Sequence, residues 1–331
     1  MFEAKASGKI IFAGEYAVLE GAPSIVLATD KQIHVKFEHR TDDLLFRCIG
    51  GEKDIDVSAS IEKGEIHFAK DFAHHNFLKR LVDHLLEDEL YAKILSQEWT
   101  ITIDSTAFFD LDEKLGIGSS AAIVVAFMKV LEQIAGRDLD IKSLWQKMQD
   151  AHTVAQNKKG SGADVATALL NQTCLFKNKQ GDFVLEPLAL PESIHVRFFW
   201  TGKGASTPAL LKKLDAWHVG DEQGYQSIMA QMNQQMEVIV AHLDQNRMLD
   251  DLDGFTALLR ELDRHASIGI FTKEHEDLWR LAQECEGVIY KSCGAGGGDL
   301  GMAVSLDKNA ILDFSNKANS YNVSLTSMNI K

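Results

Sequence analysis

Cations are in short supply: 34 lysines and arginines face 48 aspartates and glutamates, for a formal charge of −14. Such a chain lacks the basic field that a nucleic-acid binder needs, so no nucleic-acid partner is expected. A small anionic ligand stays possible, because a few local cations and backbone amides suffice to hold a phosphate. Cysteine is scarce too. Cys48, Cys174, Cys285 and Cys293 form no CxxC pair, which argues against a zinc knuckle and a redox motif. Scattered thiols of this kind suit a reducing compartment, and a cytoplasmic protein is expected. No run approaches ~20 apolar residues, so no membrane span is expected. The opening stretch, MFEAKASGKIIFAGEY, carries Glu3, Lys5 and Lys9 and does not read as a secretory signal. There is no GxxxxGK[ST] loop, no HExxH and no GxSxG elbow. The histidines show no metal-ligand spacing; His74 and His75 are read as surface or internally satisfied. No internal repeat or low-complexity tract is seen.

What is present is an ordinary globular composition, 45% hydrophobic and 25% charged over 331 residues, enough for one large or two medium domains. Short apolar runs at Lys9–Ala13 and Ser24–Ala28 read as strands. Ile33, Val35 and Phe37 alternate with His34, Lys36 and Glu38, the period of a half-buried strand. Gly50–Gly51 and Lys63–Gly64 punctuate the strands that follow. Asp71–Leu86 has helical spacing, with Phe77, Leu78, Leu81, Val82 and Leu85 on one stripe. A helix follows Gly116–Ala122, its apolar residues Val124, Phe127, Met128 and Leu131 on one face, and Gly136 is placed to stop it. Pro187 and Pro191 bracket a connector, and a boundary there divides the chain into 1–188 and 189–331. Beyond it the pattern predicts a strand at Ile194–Trp200, helices at Tyr225–Leu243 and Phe255–Arg264, a strand–loop–strand at Val288–Leu306, and a last helix and strand.

Four segments carry candidate chemistry. GIGSSAA, Gly116–Ala122, puts glycines and two serines at a helix start, where free N–H groups and the dipole favour an anion; the bland alternative is a serine N-cap. GAGGGDLG, Gly294–Gly301, spends more glycine than a tight hairpin needs. Its formal GxGxxG is not a dinucleotide fingerprint, because a strand rather than a helix follows and no acidic residue lies at the required spacing. Gly160–Asp164, after Lys158 and Lys159, presents Asp164 at a helix start, either as an N-cap or as a catalytic carboxylate. Lys9 begins a strand ahead of Gly14-Glu15-Tyr16; a lone lysine there is ordinarily solvated.

In this order the segments SGKIIFAGEYAVLEG, KLGIGSSAAIVVA and KSCGAGGGDLGMAV resemble the GHMP kinases across residues 4–304. Finer features resemble the phosphomevalonate kinase branch: Gly14-Glu15-Tyr16, the lysine-led loop at Lys114, Ala151-His152 ahead of Gly160–Ala166, Trp200–Thr207, and Asp299. The resemblance implies an α/β (α+β) chain with the two-domain GHMP fold, an N-terminal α/β domain and a C-terminal ferredoxin-like domain, with the active site between them. It implies ATP-dependent phosphorylation of a small anionic isoprenoid precursor, phosphomevalonate, with ATP and Mg2+. Gly116, Ile117, Gly118, Ser119, Ser120 and Ala121 would wrap the ATP phosphates, with Ser120 a magnesium ligand. Lys9 and Asp164 would be catalytic. Lys114, Ser161, Ser206, Gly294, Ala295 and Gly296 would hold substrate, and Lys203 and Arg197 are further cation candidates. Phosphoryl transfer asks for alignment and charge neutralisation more than covalent chemistry, which these residue types supply. The sequence departs from the family pattern at Ser7, Cys293 and Gly204, and Thr153 stands where mevalonate kinases carry a magnesium-binding glutamate. A mevalonate kinase, another GHMP kinase or a catalytically idle ligand-binding relative are the competing readings; substrate assays and measured ATP turnover separate them. No membrane partner is implied, and a monomer and a homodimer are both compatible with the sequence.

Overall fold

The computed structural model describes every residue except 51–52, 74, 111–112, 180–181 and 244–246. His74 and Gly51, named above, therefore lie outside the described residues. The chain divides into two compact units: Met1–Lys9, Ala28–Gln172 and Ile330–Lys331 in the first, Ile10–Leu27 and Thr173–Asn329 in the second. Two long strands, β1 (Phe2–Ala13) and β2 (Ser24–His39), give residues to both units.

The first unit is a sheet backed by helices. Its strands are β2, β3 (Leu44–Ile49), β4 (Ile55–Glu62), β5 (Glu65–Phe68) and, after helices α1 (His75–Leu85) and α2 (Glu89–Leu95), β6 (Trp99–Asp104). They lie in the order β2-β6-β3-β4-β5, antiparallel except for the β3–β6 pair, with β1 beside β2. The alternation at Ile33, Val35 and Phe37 is borne out: all three are fully buried, and His34, Lys36 and Glu38 are half-exposed. A small hairpin, β7 (Phe109–Asp110) and β8 (Glu113–Lys114), leads into α3 (Ser119–Ala135); α4 (Ile141–Gln156) and α5 (Ala163–Leu170) follow. Gly136 ends α3 in the left-handed region, with its N–H on the Glu132 carbonyl, as the sequence predicts. α3 is held to the sheet by Phe127, fully buried with its ring edge-on to Phe37 at 5.1 Å.

The second unit opens with the hairpin β9 (Cys174–Lys179) and β10 (Asp182–Pro187), β9 pairing with Ser24–Val26 of β2. Next come β11 (His195–Trp200), helices α6 (Thr207–Gly220), α7 (Glu222–Ala241), α8 (Met248–Ala266) and α9 (Lys273–Gln283), then β12 (Val288–Ser292), β13 (Leu300–Ser305), α10 (Lys308–Ala318) and β14 (Ser324–Leu325). Strands β12-β13-β11-β14 form an antiparallel sheet. Phe199, Leu278, Tyr290, Ile311 and Phe314 form the core under it. The strand–loop–strand read at Val288–Leu306 is thus a hairpin whose loop is the second glycine cluster. No helix among the described residues is long and apolar enough to cross a membrane.

Because Phe127 ties α3 to the sheet, Phe127→Ala is expected to lower stability by about 3–5 kcal/mol, the usual loss for a buried phenylalanine. Gln133→Ala, on the exposed side of the same helix, is expected to stay within about 0.5 kcal/mol. Urea unfolding midpoints check both.

Candidate active site

The first glycine loop is shaped by the strand beneath it. Lys9 N donates to Ile117 O at 2.9 Å, fastening the loop to β1. Gly118 is the N-cap of α3 with φ 82°, ψ 39°, and a Cβ there would stand 3.2 Å from Cγ of Lys9. The position needs glycine twice over: for the positive φ, and for the lysine stem laid across it. Ala122 N makes the first intrahelical bond, to Gly118 O at 3.2 Å. The amides of Ser119, Ser120 and Ala121 thus precede the helical ladder at the positive end of its dipole. Ser120 Oγ lies 3.1 Å from Nε2 of His152, a buried residue of α4.

Asp164 is not the N-cap of α5. Gly162 holds that place with φ 81°, and Asp164 is the second helical residue, half-buried, its Oδ1 accepting from Val165 N at 3.0 Å. Ser161 Oγ accepts from Ala163 N at 3.3 Å. Lys158, on the turn before, has its ammonium pKa lowered by burial and by repulsion from Lys9, against the opposing pull of Asp164. Lys9, Lys158 and Asp164 therefore share one electrostatic neighbourhood with the first glycine loop. Lys114 is exposed at the end of β8.

In the second unit the other two motifs are joined by one residue. Asp299, at φ 49°, donates its N–H to Lys203 O at 2.7 Å and accepts at its own carbonyl from Thr201 N at 3.0 Å. Its Oδ1 accepts from Ala205 N at 3.2 Å. The segment Trp200–Thr207 and the loop Gly294–Gly298 are thereby fixed to each other. Ser206 stands exposed at the N-cap of α6, its hydroxyl making no capping bond. Gly294 and Ala295 are half-buried and Gly296 is buried. Two cation candidates are already engaged: Lys203 pairs with Glu274 at 2.7 Å and holds that carboxyl down to about 2, and Arg197 donates to Val196 O at 3.0 Å. Cys293 is buried and Gly204 exposed.

Sequence reasoning assigned no role to three residues. Lys158 was signalled only as one of two lysines before GSGAD. His152 touches Ser120 across 32 positions, which no local pattern reveals. His275 is fully buried, with Nε2 3.1 Å from Gly298 O and Nδ1 2.9 Å from the Tyr290 hydroxyl. A carbonyl only accepts, so Nε2 carries the proton and Nδ1 accepts from Tyr290. A Cβ at position 301 would fall 1.9 Å from that hydroxyl, which is why Gly301 is glycine.

With this geometry in place, comparison with known proteins shows what the chain is similar to. Residues 76–172, which include the first glycine loop and Asp164, match the model of the GHMP kinases N terminal domain. Those residues therefore form a GHMP kinases N terminal domain. The chain is 25% identical to a phosphomevalonate kinase of Streptomyces sp., over 93% of this chain and 90% of that protein. It is 23% identical to a mevalonate kinase of Thermococcus sibiricus, over 92% and 89%. The structure of Streptococcus pneumoniae phosphomevalonate kinase in complex with phosphomevalonate and AMPPNP superimposes with a TM-score of 0.81 and 19% identity, covering 100% of both chains. The fold is thus the mixed α/β fold of the GHMP kinases, as the sequence resemblance implies.

Burial, the largest influence on it, pushes the His275 imidazole from 6.5 down to about 4. Between those values the unfolded chain takes up a proton that the folded chain refuses. This residue therefore supports stability above pH 6.5, and the support drains away as pH falls towards 4. A shift of that size corresponds to about 3 kcal/mol. The expected result is that unfolding free energy falls less steeply between pH 6.5 and 4.5 in His275→Gln than in the parent, measured by urea unfolding at each pH.

Proposed function

We propose that the protein transfers the γ-phosphoryl group of ATP to the phosphate of (R)-5-phosphomevalonate, giving 5-diphosphomevalonate and ADP. The observation that carries this reading is the Lys9 side chain laid across Gly118, where the amides of Ser119–Ala121 precede the helical ladder of α3. Lys158 has its ammonium pKa lowered by burial, a cost that an incoming anion would offset, and it feels the charges of both Asp164 and Lys9. The phosphomevalonate kinase relative and the fold shared with the phosphomevalonate-bound structure support the same reading.

In this reading the amides of Gly116–Ala121 cradle the nucleotide phosphates. Lys9 stabilises charge on the phosphoryl group in flight, and Lys158 joins it. Asp164 orients the acceptor; a phosphate oxygen is already anionic near neutral pH, so the carboxylate need not be a strong base. Lys114, Ser161, Ser206 and Gly294–Gly296 hold the substrate. Among the described residues no group of three or more His, Cys, Asp or Glu is placed for a metal. Magnesium would arrive with the nucleotide, taking one or two protein oxygens and completing its shell with phosphates and water. Ser120, its hydroxyl oriented by His152, would hold the ion, which when bound would offset repulsion between the two anions. In this reading the protein works in the cytoplasm, where thiols such as Cys48, Cys174, Cys285 and Cys293 stay reduced. Thr153 in place of a carboxylate, and the lysine-led loop at Lys114, weigh for phosphomevalonate over mevalonate.

ADP release from ATP is expected with phosphomevalonate and not with mevalonate in a coupled assay. Equal or faster turnover with mevalonate contradicts the assignment. Asp164→Asn is expected to lose about 10²–10⁴-fold in kcat while still binding nucleotide. Lys9→Met is expected to lower kcat, whereas Lys114→Met should mainly raise KM for phosphomevalonate. Steady-state kinetics on the three variants, with circular dichroism to confirm folding, check the division of roles.

A further inference from the structure

The loop between β12 and β13 is fastened from within by side chains distant in sequence. Tyr16 donates its hydroxyl to Ala295 O at 2.6 Å. His275 donates to Gly298 O, and Lys291 Nζ donates to Ser292 O at 2.8 Å. All three donors are buried. Of the loop amides, Gly296 N donates to Cys293 O and Gly297 N to Ile270 O. The amides of Gly294, Ala295 and Gly298 find no acceptor among the described residues. Carbonyls are tied inward while three amides are left over, which is the arrangement of an anion-binding nest.

The segment that supplies Tyr16 is itself unusual. Tyr16 has φ 62°, ψ −49°, and Ala17 N bonds to Glu15 O at 2.6 Å, closing a three-residue γ-turn of the rare positive-φ kind. For a tyrosine this conformation is unfavourable and persists only where its surroundings over-determine it. Here they do. Glu15 and Lys291 form an ion pair with both partners almost wholly buried, and Tyr16 is 4% exposed with its hydroxyl in use. The two consecutive side chains of the turn thus meet one hairpin at two places, Lys291 near the end of β12 and Ala295 within the loop.

We infer that the strained turn Gly14–Tyr16 is a positioning clamp for the second glycine loop: through Tyr16 and the Glu15–Lys291 pair it holds the peptides of 292–298 so that the amides of Gly294, Ala295 and Gly298 are free for a phosphate. The inference rests on the phosphotransferase reading and adds positioning residues to it. Tyr16 and Lys291 act through the loop and need not touch substrate.

Tyr16→Phe removes one hydrogen bond and keeps the buried ring. It is expected to lower kcat roughly 10- to 100-fold, the scale of a misplaced reacting group, with KM for ATP within about twofold and a nearly unchanged unfolding midpoint. Conservative exchange at the third anchor gives a second measure: His275→Gln, which keeps an N–H donor, should retain more kcat than His275→Leu. Binding is read without turnover on full-length protein labelled with ¹⁵N-glycine and ¹⁵N-alanine. Inorganic diphosphate is expected to shift the amide resonances of Gly294, Ala295 and Gly298 in the parent and much less in Tyr16→Phe. If the parent turns over and Tyr16→Phe matches it in kcat and in amide shifts, the clamp is overturned while the function stands. If the parent releases no ADP with either acceptor, the function is overturned and the amide shifts alone decide: shifts that persist in Tyr16→Phe overturn the clamp as well.

Discussion

A backbone amide holds an anion well only when its peptide plane cannot turn, and in both glycine loops the structure holds those planes in place. In the first, the plane is fixed by the bond from Lys9 N to Ile117 O and by the entry of α3 at Gly118. In the second it is fixed by side chains that occupy the carbonyls, Tyr16 on Ala295 and His275 on Gly298. Water would satisfy those carbonyls equally well and leave the loop mobile. Buried donors make the same bonds without that freedom, and the ordering entropy is then met during folding instead of at each encounter with ligand.

The charges follow from the same constraint. A net charge of −14 would repel a nucleotide and a phosphorylated acceptor at long range. In the proposed reading the answer is local, with Lys9, Lys158 and the positive end of helix α3 receiving the anions. At physiological ionic strength the distant carboxylates are screened beyond about 8 Å, whereas a half-buried lysine is screened much less. Local cations can therefore dominate an acidic surface. The buried ion pair Glu15–Lys291 serves a different end: such a pair adds little net stability, but removing either half strands the other as an uncompensated buried charge.

Much of this was legible in the sequence, for physical reasons. The alternation at Ile33–Phe37 and the stripe Leu78, Leu81, Val82, Leu85 match buried faces because periodicity is set by local geometry, whereas Phe77, read on the same stripe, is half-buried. Gly136 announced the end of α3 because few residues tolerate its φ. Ser24–Ala28 and the Ile33–Glu38 alternation read as two strands but are one, β2, and β1 begins at Phe2 ahead of the apolar run Lys9–Ala13, because exposed Glu3, Lys5 and Asp30 break the apolar signal. Of the two readings of Asp164, the N-cap place belongs to Gly162. What stayed hidden was long-range pairing. Glu15 with Lys291 and Tyr16 with Ala295 are separated by 276 and 279 positions, and nothing local marks a glutamate or a tyrosine as buried against a loop near the other end of the chain. Lys203 looked available for a substrate phosphate until Glu274 was seen beside it.

The central claim is that the acceptor of the phosphoryl group is itself a phosphate. The most direct test is the ³¹P spectrum of a reaction containing the protein, ATP, magnesium and phosphomevalonate. The account expects the single monoester resonance of the acceptor to be replaced by two mutually coupled diphosphate resonances, in step with loss of the ATP γ-phosphate. A monoester resonance that stays unchanged with phosphomevalonate, while a new one arises when mevalonate is supplied instead, would contradict it.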